Sequence, residues 1–268
     1  MRVLVTNDDG VDSPGILALA TAMHGAGHEV VVVAPASDLS GAGASIGPLH
    51  SSESIPLSKR TWQSLPDIEV IAIERPPATA VYLACLGAFG PRPDAVASGI
   101  NPGANTGHLV LHSGTVGAAL TAAGLGLPAI AVSITWSTDG YYWSTAADLA
   151  VPALEWAIAS NGIANKGEAR VLNLNVPNLP LDEVHGVKEA DLAPYGEFWV
   201  ASVDPSEGDV RIEFKGADHE PHPASDAALV TTGWATVTPL LGIVAGTIKG
   251  AAKMVENALP TSRTTRMS

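Results

Sequence analysis

Residues 1–35 read MRVLVTNDDGVDSPGILALATAMHGAGHEVVVVAP, and this stretch decides the fold. Two short apolar runs, VLV and EVVVVA, stand on either side of a segment whose apolar residues recur at helical spacing. Ser13 followed by Pro14 is typical of a helix start, and Gly25 and Gly27 indicate the helix end. The stretch therefore predicts a strand, a helix and a second strand, with both strands buried.

The same alternation continues along most of the chain. Further apolar runs typical of strands lie at 69–74, 94–99, 128–134, 169–177 and 235–241. Helical patterns lie at 77–89, 116–123, 145–160 and 246–259. Buried strands separated by helices predict an α/β fold, a three-layer α/β/α Rossmann-like sandwich with a mainly parallel sheet.

The composition of the chain changes after the first 184 residues. We interpret 1–184 as the α/β core, 185–224 as a β-hairpin arm, and 225–268 as the last core strand with a C-terminal helix and tail. The hairpin is predicted from two strand-like runs, EFWVASV and DVRIEF, around the turn signal DPSEGD. Because a lone hairpin is marginally stable, we expect this arm and the C-terminal helix to serve in oligomerisation.

Charge and composition exclude several classes of protein. The formal net charge of −13 leaves no basic surface for a nucleic acid polymer or an anionic membrane. The single cysteine, Cys85, lies in an apolar run and is expected to be buried and inert. With no signal-peptide pattern and no apolar run long enough for a membrane helix, the expected location is cytoplasmic.

Three polar loops follow predicted strands, at 7–9, 35–45 and 98–107. Ligands of open parallel sheets bind at the carboxyl ends of the strands, so these loops are expected to meet at one edge. Asp8 and Asp9 are neighbouring carboxylates, whose repulsion a divalent cation would relieve. Carboxylate, hydroxyl and amide oxygens suit Mg²⁺ or Mn²⁺ better than zinc. The alternative is that one aspartate caps a turn and the other is solvated.

The stretch HSGTVGAAL at 112–120 opens a predicted helix with hydroxyl residues and glycine. Free backbone N–H groups at such a helix start form an anion site, and ordinary capping by Ser113 or Thr115 is the alternative. His112 is adjacent to this start and is interpreted as structural. Neither a nucleoside triphosphatase phosphate loop nor a dinucleotide-binding glycine motif follows the first strand.

The polar loops carry motifs of a known family. NDDG followed by PGI, APASDLSGAGAS, SGINPGANTG and SGTVGAA occur in that order, with weaker matches in LNLNVP and GWATVTPL. In these motifs the chain resembles the SurE family, the stationary-phase survival proteins that act as metal-dependent 5′/3′-nucleotidases. The motifs run from residue 1 to about residue 240.

The resemblance implies a divalent-metal-dependent phosphomonoesterase that hydrolyses nucleoside monophosphates, working as a homodimer or homotetramer. It implies that one Mg²⁺ or Mn²⁺ ion per subunit is bound by Asp8, Asp9, Ser40 and Asn101. It also implies that the phosphate is held by Asn105, Ser113, Gly114 and Thr115, with Asn7 in support. The catalytic residues it implies are Asp8, Asp9 and Asn105.

The chain departs from the family pattern at several places around these motifs. The run RPPATA at 75–80 replaces a GTPADC-like run, and His112 replaces a common tyrosine. His108 stands where an acidic pair begins, and Thr121 where a glutamate is usual. The implied metal and phosphate positions are intact, so the departures affect the expected base and sugar selectivity and subunit packing.

Other functions remain open at this point. GILALATAMHGAGHEVVVVAP also resembles the opening helix and strand of sugar-nucleotide glycosyltransferases, although paired aspartates have no role there. A non-catalytic nucleotide or metal sensor on the same fold is a second alternative. Within the hydrolase hypothesis, either Asp8 or Asp9 could be the general base, and the DxD spacing common in covalent aspartyl-phosphate enzymes is missing.

Overall fold

The computed structural model describes residues 1–49, 54–161, 170–194, 198–206, 209–216 and 222–242, and residue 253. Its strands are β1 Arg2–Thr6, β2 Glu29–Pro35, β3 Leu57–Arg60, β4 Glu69–Ile73, β5 Ala95–Pro102, β6 Ala129–Ile134, β7 Arg170–Val176, β8 Val187–Glu189, β9 Phe198–Ser206, β10 Asp209–Gly216 and β11 Ala235–Leu241. Its α-helices are α1 Pro14–Gly25, α2 Pro77–Cys85, α3 Gly114–Gly124, α4 Trp143–Asn161 and α5 Asp226–Thr231.

The main sheet has nine strands in the order β3-β4-β2-β1-β5-β6-β7-β11-β8. The pairs from β4 through β7 are parallel, whereas β3 and β11 run antiparallel to β4 and β7. Strand β1 lies between β2 and β5, so the chain turns to one side of β1 first and crosses to the other side later. The predicted α/β fold with a mainly parallel sheet is confirmed.

Two hydrophobic cores cover the two faces of this sheet. Val3 and Val5 of β1 pack in a core that also contains Ile16 and Leu19 of α1 and Leu154 of α4. Leu4, the residue between them, packs on the opposite face with apolar residues of α2 and α3. Successive side chains of a strand point to opposite faces, so a fully apolar strand indicates that helices cover both faces of the sheet. The three-layer arrangement is therefore present.

Some predicted boundaries differ from the structure. Helix α2 ends at Cys85, and Gly87 adopts a φ of 84° in the turn that follows, so the helix predicted to reach residue 89 is shorter. Cys85 is half-buried, which corrects the expectation of a buried thiol. Ser13 precedes α1 as predicted but makes no side-chain cap, because its hydroxyl accepts a hydrogen bond from Asn7 instead.

Three short elements were not predicted: β3, β8 and α5. Strand β3 has the sequence LSKR and forms an exposed edge, where alternation and charge obscure the strand pattern. Strand β8 has three residues and α5 has six, which is too few for a periodic signal.

The predicted hairpin is present as an antiparallel pair of β9 and β10, in a two-stranded sheet separate from the main one. The preceding strand β8, also within 185–224, pairs with β11 in the main sheet. The helix and tail expected at 246–268 lie outside the described residues, apart from residue 253. Among the helices that are described, none combines the length and apolar character that a membrane crossing requires.

Leu4 offers a test of the sheet as the support of the whole domain. Its side chain is fully buried on the central strand β1, so Leu4→Ala is expected to lower the free energy of unfolding by about 2–5 kcal/mol. Denaturant unfolding followed by circular dichroism measures this loss. Leu57→Ala, at a side chain that is 56% exposed on edge strand β3, serves as the control and should change stability by less than about 1 kcal/mol.

Candidate active site

The polar loops meet around β1, where the strand order reverses. The loop after β1 contains Asp8 and Asp9, the loop after β2 contains Ser40, and β5 ends near Asn101. Strands β2 and β5 are the two parallel neighbours of β1. This is the topological switch point at which open α/β sheets bind their ligands. The predicted convergence of these loops at one sheet edge follows from this strand order.

Asp8 lies against the start of α3. Its side chain is only 3% exposed, and its Oδ1 accepts a 2.5 Å hydrogen bond from the Thr115 hydroxyl. Burial raises the pKa of Asp8 above its ordinary value, while the Thr115 hydroxyl and the backbone N–H groups of Gly114 and Thr115 oppose that rise. The Asp8 carbonyl also accepts a 2.8 Å hydrogen bond from the Leu39 amide. Asp8 therefore joins the loops after β1 and β2 to the start of α3.

Asp9 is half-buried and poorly satisfied. Its Oδ2 is shielded from solvent and has no hydrogen-bond partner. Burial raises the pKa of Asp9 to about 7, and the nearby carboxylates of Asp8 and Asp38 add to the rise. Asp9 has two acidic neighbours and an unpartnered oxygen. A bound cation would therefore stabilise the ionised form of Asp9.

Asn7 organises the turn that follows β1. Its Nδ2 donates to the Gly10 carbonyl at 3.0 Å and to the Ser13 hydroxyl at 2.8 Å. Its Oδ1 is buried and accepts nothing. Both amide hydrogens are thus used inside the loop, so Asn7 serves here as a structural support that presents an acceptor oxygen.

Ser40 and Asp38 form the outer part of the site in the loop after β2. Both are exposed, and Asp38 Oδ1 accepts from the Ser40 amide at 2.8 Å and from its hydroxyl at 2.6 Å. Asp38 was not among the predicted site residues. Its position two residues before Ser40, in the same loop, was the signal that could have found it.

Asn101 approaches from β5 on the other side of β1. Its side chain is half-buried, and its Nδ2 donates to the Gly103 carbonyl at 2.6 Å. That bond fixes the amide and leaves Oδ1 as its remaining ligand atom.

The predicted phosphate residues surround the start of α3. Ser113 is 8% exposed and caps the helix, accepting a 3.1 Å hydrogen bond from the Val116 amide, so its hydroxyl hydrogen is still available to a ligand. Thr115 is fully buried and its hydroxyl already donates to Asp8. In this structure Thr115 therefore supports the carboxylate, and its backbone N–H belongs to the helix start.

Asn105 is held firmly by β6 and β7. Its side-chain Nδ2 donates to the Ser133 hydroxyl at 2.8 Å, and its backbone N–H donates to Asn175 Oδ1 at 2.7 Å. Its carbonyl accepts from the side chains of Asn173 and Asn175 at 2.8 Å and 3.1 Å. Both of these asparagines are fully buried, and they explain the family motif LNLNVP, whose function could not be assigned from sequence. They are positioning residues for Asn105.

Asp226 extends this support to the base of the hairpin. Its fully buried carboxylate accepts backbone N–H groups of Gly107 at 2.9 Å, Ala193 at 2.9 Å and Ala227 at 2.8 Å. Burial raises the pKa of Asp226, and the three N–H groups oppose that rise. Gly107 ends the loop that contains Asn105, so Asp226 joins this loop to α5 and to the segment before the hairpin.

The histidines near the predicted phosphate residues are exposed to solvent. The side chains of His108 and His112 are exposed, and the His112 carbonyl accepts a 3.1 Å hydrogen bond from the Gly43 amide. His222 is also exposed, and His219 lies outside the residues that the structure describes. The interpretation of His112 as structural stays a prediction.

The donor set fits a hard divalent cation. Asp8, Asp9, Ser40 and Asn101 supply carboxylate, hydroxyl and amide oxygens, and the buried Oδ2 of Asp9 has no partner within the described residues and is available as a ligand atom. Over the described ranges, no three His, Cys, Asp or Glu side chains are arranged to hold a metal. A cation here would depend on mixed oxygen ligands and water, which suits Mg²⁺ or Mn²⁺ better than zinc.

Comparison with known proteins agrees with this geometry. The family model for the survival protein SurE matches residues 3–196. The 5′-nucleotidase SurE of Stenotrophomonas maltophilia strain K279a is 39% identical over 244 residues, covering 90% of this chain and 89% of that protein. The corresponding protein of Xanthomonas campestris pv. campestris strain B100 shows the same identity and coverage. The crystal structure of the SurE protein from Aquifex aeolicus superposes with a TM-score of 0.71 at 29% identity, covering 96% of this chain and 98% of that one.

The fold and the site define an open α/β protein in which acidic loops and a helix N-terminus meet at the carboxyl ends of parallel strands. The chain belongs to the SurE family. The family resemblance stated from the sequence motifs is confirmed.

Gly114 offers a test of the contact between Asp8 and α3. A Cβ at position 114 would stand 2.6 Å from Asp8 Oδ2 and 2.7 Å from Asp8 Cβ, so Gly114→Ala must displace the carboxylate. We expect phosphatase activity to fall about 100-fold, as for other small displacements of reacting groups. Gly124→Ala, in the same helix with nothing within 4 Å, is the matched control and should retain activity. Equal activity of the two variants would contradict the role of this contact.

The raised pKa of Asp9 predicts how pH acts on the metal-free protein. The folded value is about 7 against 3.8 ordinarily, so between these values the folded chain holds a proton that the unfolded chain releases. This contribution to stability is present below about pH 4 and is lost as the pH rises through about 7.

Melting temperatures with and without Mg²⁺ or Mn²⁺ test this prediction. The cation should raise Tm more at about pH 8, where Asp9 is ionised, than at about pH 5, where a proton competes with it. Asp9→Asn, which removes the titrating group, should weaken this pH dependence. A metal-induced Tm shift of the same size at both pH values would contradict the prediction.

Proposed function

We propose that this site hydrolyses nucleoside 5′-monophosphates with one Mg²⁺ or Mn²⁺ ion held by Asp8, Asp9, Ser40 and Asn101. The observation that carries the proposal is the adjacent pair of Asp8 and Asp9, one buried against the N-terminus of α3 and the other with an unpartnered oxygen. The relatives named 5′-nucleotidase SurE, at 39% identity over most of the chain, support the same activity.

The bound cation would supply two kinds of chemistry, polarisation of a phosphoryl oxygen and a lower pKa for a coordinated water. The protein itself would bind and orient the phosphate group. The hydroxyl of Ser113 and the positive end of the α3 dipole would act on the phosphate oxygens, because the N–H groups of Gly114 and Thr115 already serve the Asp8 carboxylate. Asn105, fixed by four hydrogen bonds to β6 and β7 side chains, orients the group from the other side.

Asp9 is the better candidate for accepting the proton of the attacking water. Asp8 Oδ1 already accepts from Thr115, whereas Asp9 Oδ2 accepts from no group. As water adds to phosphorus and gives a proton to Asp9, the ester P–O bond breaks; the leaving oxygen takes a proton from solvent water, so the nucleoside departs as an alcohol, and Asp9 then releases its proton to solvent. This difference in hydrogen bonding is what favours Asp9 over Asp8 as the general base.

Two alternatives predict different products. A sugar-nucleotide glycosyltransferase would require an acceptor, whereas a phosphatase releases inorganic phosphate from a monophosphate without one. A non-catalytic sensor would be stabilised by nucleotide and metal and would release no phosphate. The carboxylate pair at the switch point favours the hydrolase.

Asp8→Asn tests the proposed hydrolysis. The variant keeps the shape of the side chain and removes its charge, so turnover of p-nitrophenyl phosphate and of adenosine 5′-monophosphate should both fall about 100-fold or more. This magnitude is expected because even outer partners of metal ligands cost about 10- to 100-fold. Asp12→Asn, at a side chain that is 69% exposed, is the control and should behave as the wild type. Wild-type turnover by Asp8→Asn would contradict the metal role.

The oligomeric state and the cellular location of the protein are proposals as well. The sheet formed by β9 and β10 is separate from the main sheet, as expected for an arm that packs on a second subunit. We propose a homodimer or homotetramer in which this arm and the C-terminal segment take part. A cytoplasmic location stays a prediction from the sequence.

A further inference from the structure

An aromatic cluster stands at the same sheet edge as the acidic loops. It lies in and just after the loop that follows β6, and we call it the aromatic wall: Trp136, Tyr141 and Trp143. The rings of Tyr141 and Trp143 stack with centroids 4.6 Å apart, and Trp136 meets Tyr141 edge to face at 6.4 Å. Trp136 is 57% exposed, although a large aromatic side chain gains by burial.

The inner ring of the aromatic wall, Trp143, packs near the end of β5. Trp143 Cζ3 lies 3.2 Å from the position that a Cβ of Gly15 would occupy, and the Ile100 carbonyl oxygen lies 2.1 Å from that same position. Ile100 immediately precedes Asn101. The close packing at Gly15 therefore places the inner ring of the wall beside the β5 end that supplies a proposed metal ligand.

The wall and the phosphate-binding helix lie on opposite sides of the sheet edge. Helix α4, which begins with Trp143, shares the core of one face with α1, whereas α3 packs on the other face. The aspartate pair follows β1, the strand between these two layers. A ligand whose phosphate meets α3 at the carboxylates can thus extend across the edge toward the wall.

The loop that carries the wall is held in place before any ligand binds. Asn178 donates from its backbone N–H to the Thr135 hydroxyl and from its side-chain Nδ2 to the Gly140 carbonyl, each at 2.8 Å. Its Oδ1 accepts a 2.8 Å hydrogen bond from the Tyr142 amide. These three bonds span the loop from start to end, so the rings form a preorganised surface.

We propose that the aromatic wall binds the nucleobase of the substrate by stacking, with the exposed ring of Trp136 as its main contact. The inference rests on the proposed hydrolysis of nucleoside monophosphates and adds the element that selects them. Stacking accepts every base, because each base has a π face. It adds no binding energy for a phosphorylated sugar that lacks a base. The wall therefore favours nucleotides over other phosphate monoesters with little discrimination among bases.

The test compares two substrates that differ only in the base, adenosine 5′-monophosphate and ribose 5-phosphate. Trp136→Ala should raise KM for the nucleotide about tenfold or more, in line with the loss of a base-aromatic stack, and change KM for ribose 5-phosphate less than about twofold. Trp136→Phe retains a stacking surface and should recover most of the affinity. Trp156→Ala, at a tryptophan of α4 that is 44% exposed in an apolar groove with Val237 and Pro239, is the matched control.

A second readout is independent of turnover. Adenosine should quench the tryptophan fluorescence of the wild type and of Trp156→Ala, and should lose this effect in Trp136→Ala, while ribose quenches neither. Equal losses on both substrates in Trp136→Ala, or an unchanged KM for the nucleotide, would overturn the proposal. Failure of the hydrolase itself is distinguishable, since the wild type would then release phosphate from neither substrate.

Discussion

The contact between the Asp8 carboxylate and the N-terminus of α3 is the constraint on which the rest of the site depends. It places a buried acid of β1 on a hydroxyl and backbone N–H groups that lie 106 and 107 residues away in sequence. A helix N-terminus stabilises a carboxylate through its dipole and free N–H groups, so Asp8 stays anchored where water is excluded. The absence of a side chain at Gly114 makes this approach possible.

This anchoring concentrates negative charge at the switch point. Burial raises the pKa of Asp9 to about 7, and the carboxylates of Asp8 and Asp38 nearby add to the rise, on a chain whose net charge is already −13. A phosphate monoester would be repelled by such a site unless a cation and the start of α3 offset its charge. In the proposed function, the acidic loops and the start of α3 therefore form one electrostatic arrangement for the phosphate.

In the proposed function, the two faces of the sheet would contact different parts of the substrate. On one side of the central strand lies α3, and Asn105, which is proposed to orient the phosphate, is fixed by buried asparagines of β7. On the other side, the loop leading to α4 presents the aromatic wall next to the β5 end. The two surfaces are joined by β1 and β5, which are buried along most of their length, so their separation is set by the sheet.

The sequence by itself determined the alternation of strands and helices, the parallel sheet and the family, because apolar periodicity reports burial locally and the motifs occur in order. It also indicated three polar loops that follow predicted strands, and the family resemblance implied Asp8, Asp9, Ser40 and Asn101 within them. Only the tertiary structure decided that the Thr115 hydroxyl serves Asp8, that Asp38 adds charge to Asp9, and that Asp226 accepts the Gly107 amide. Those contacts join residues far apart in sequence, and they depend on strand order and packing, which no local pattern contains.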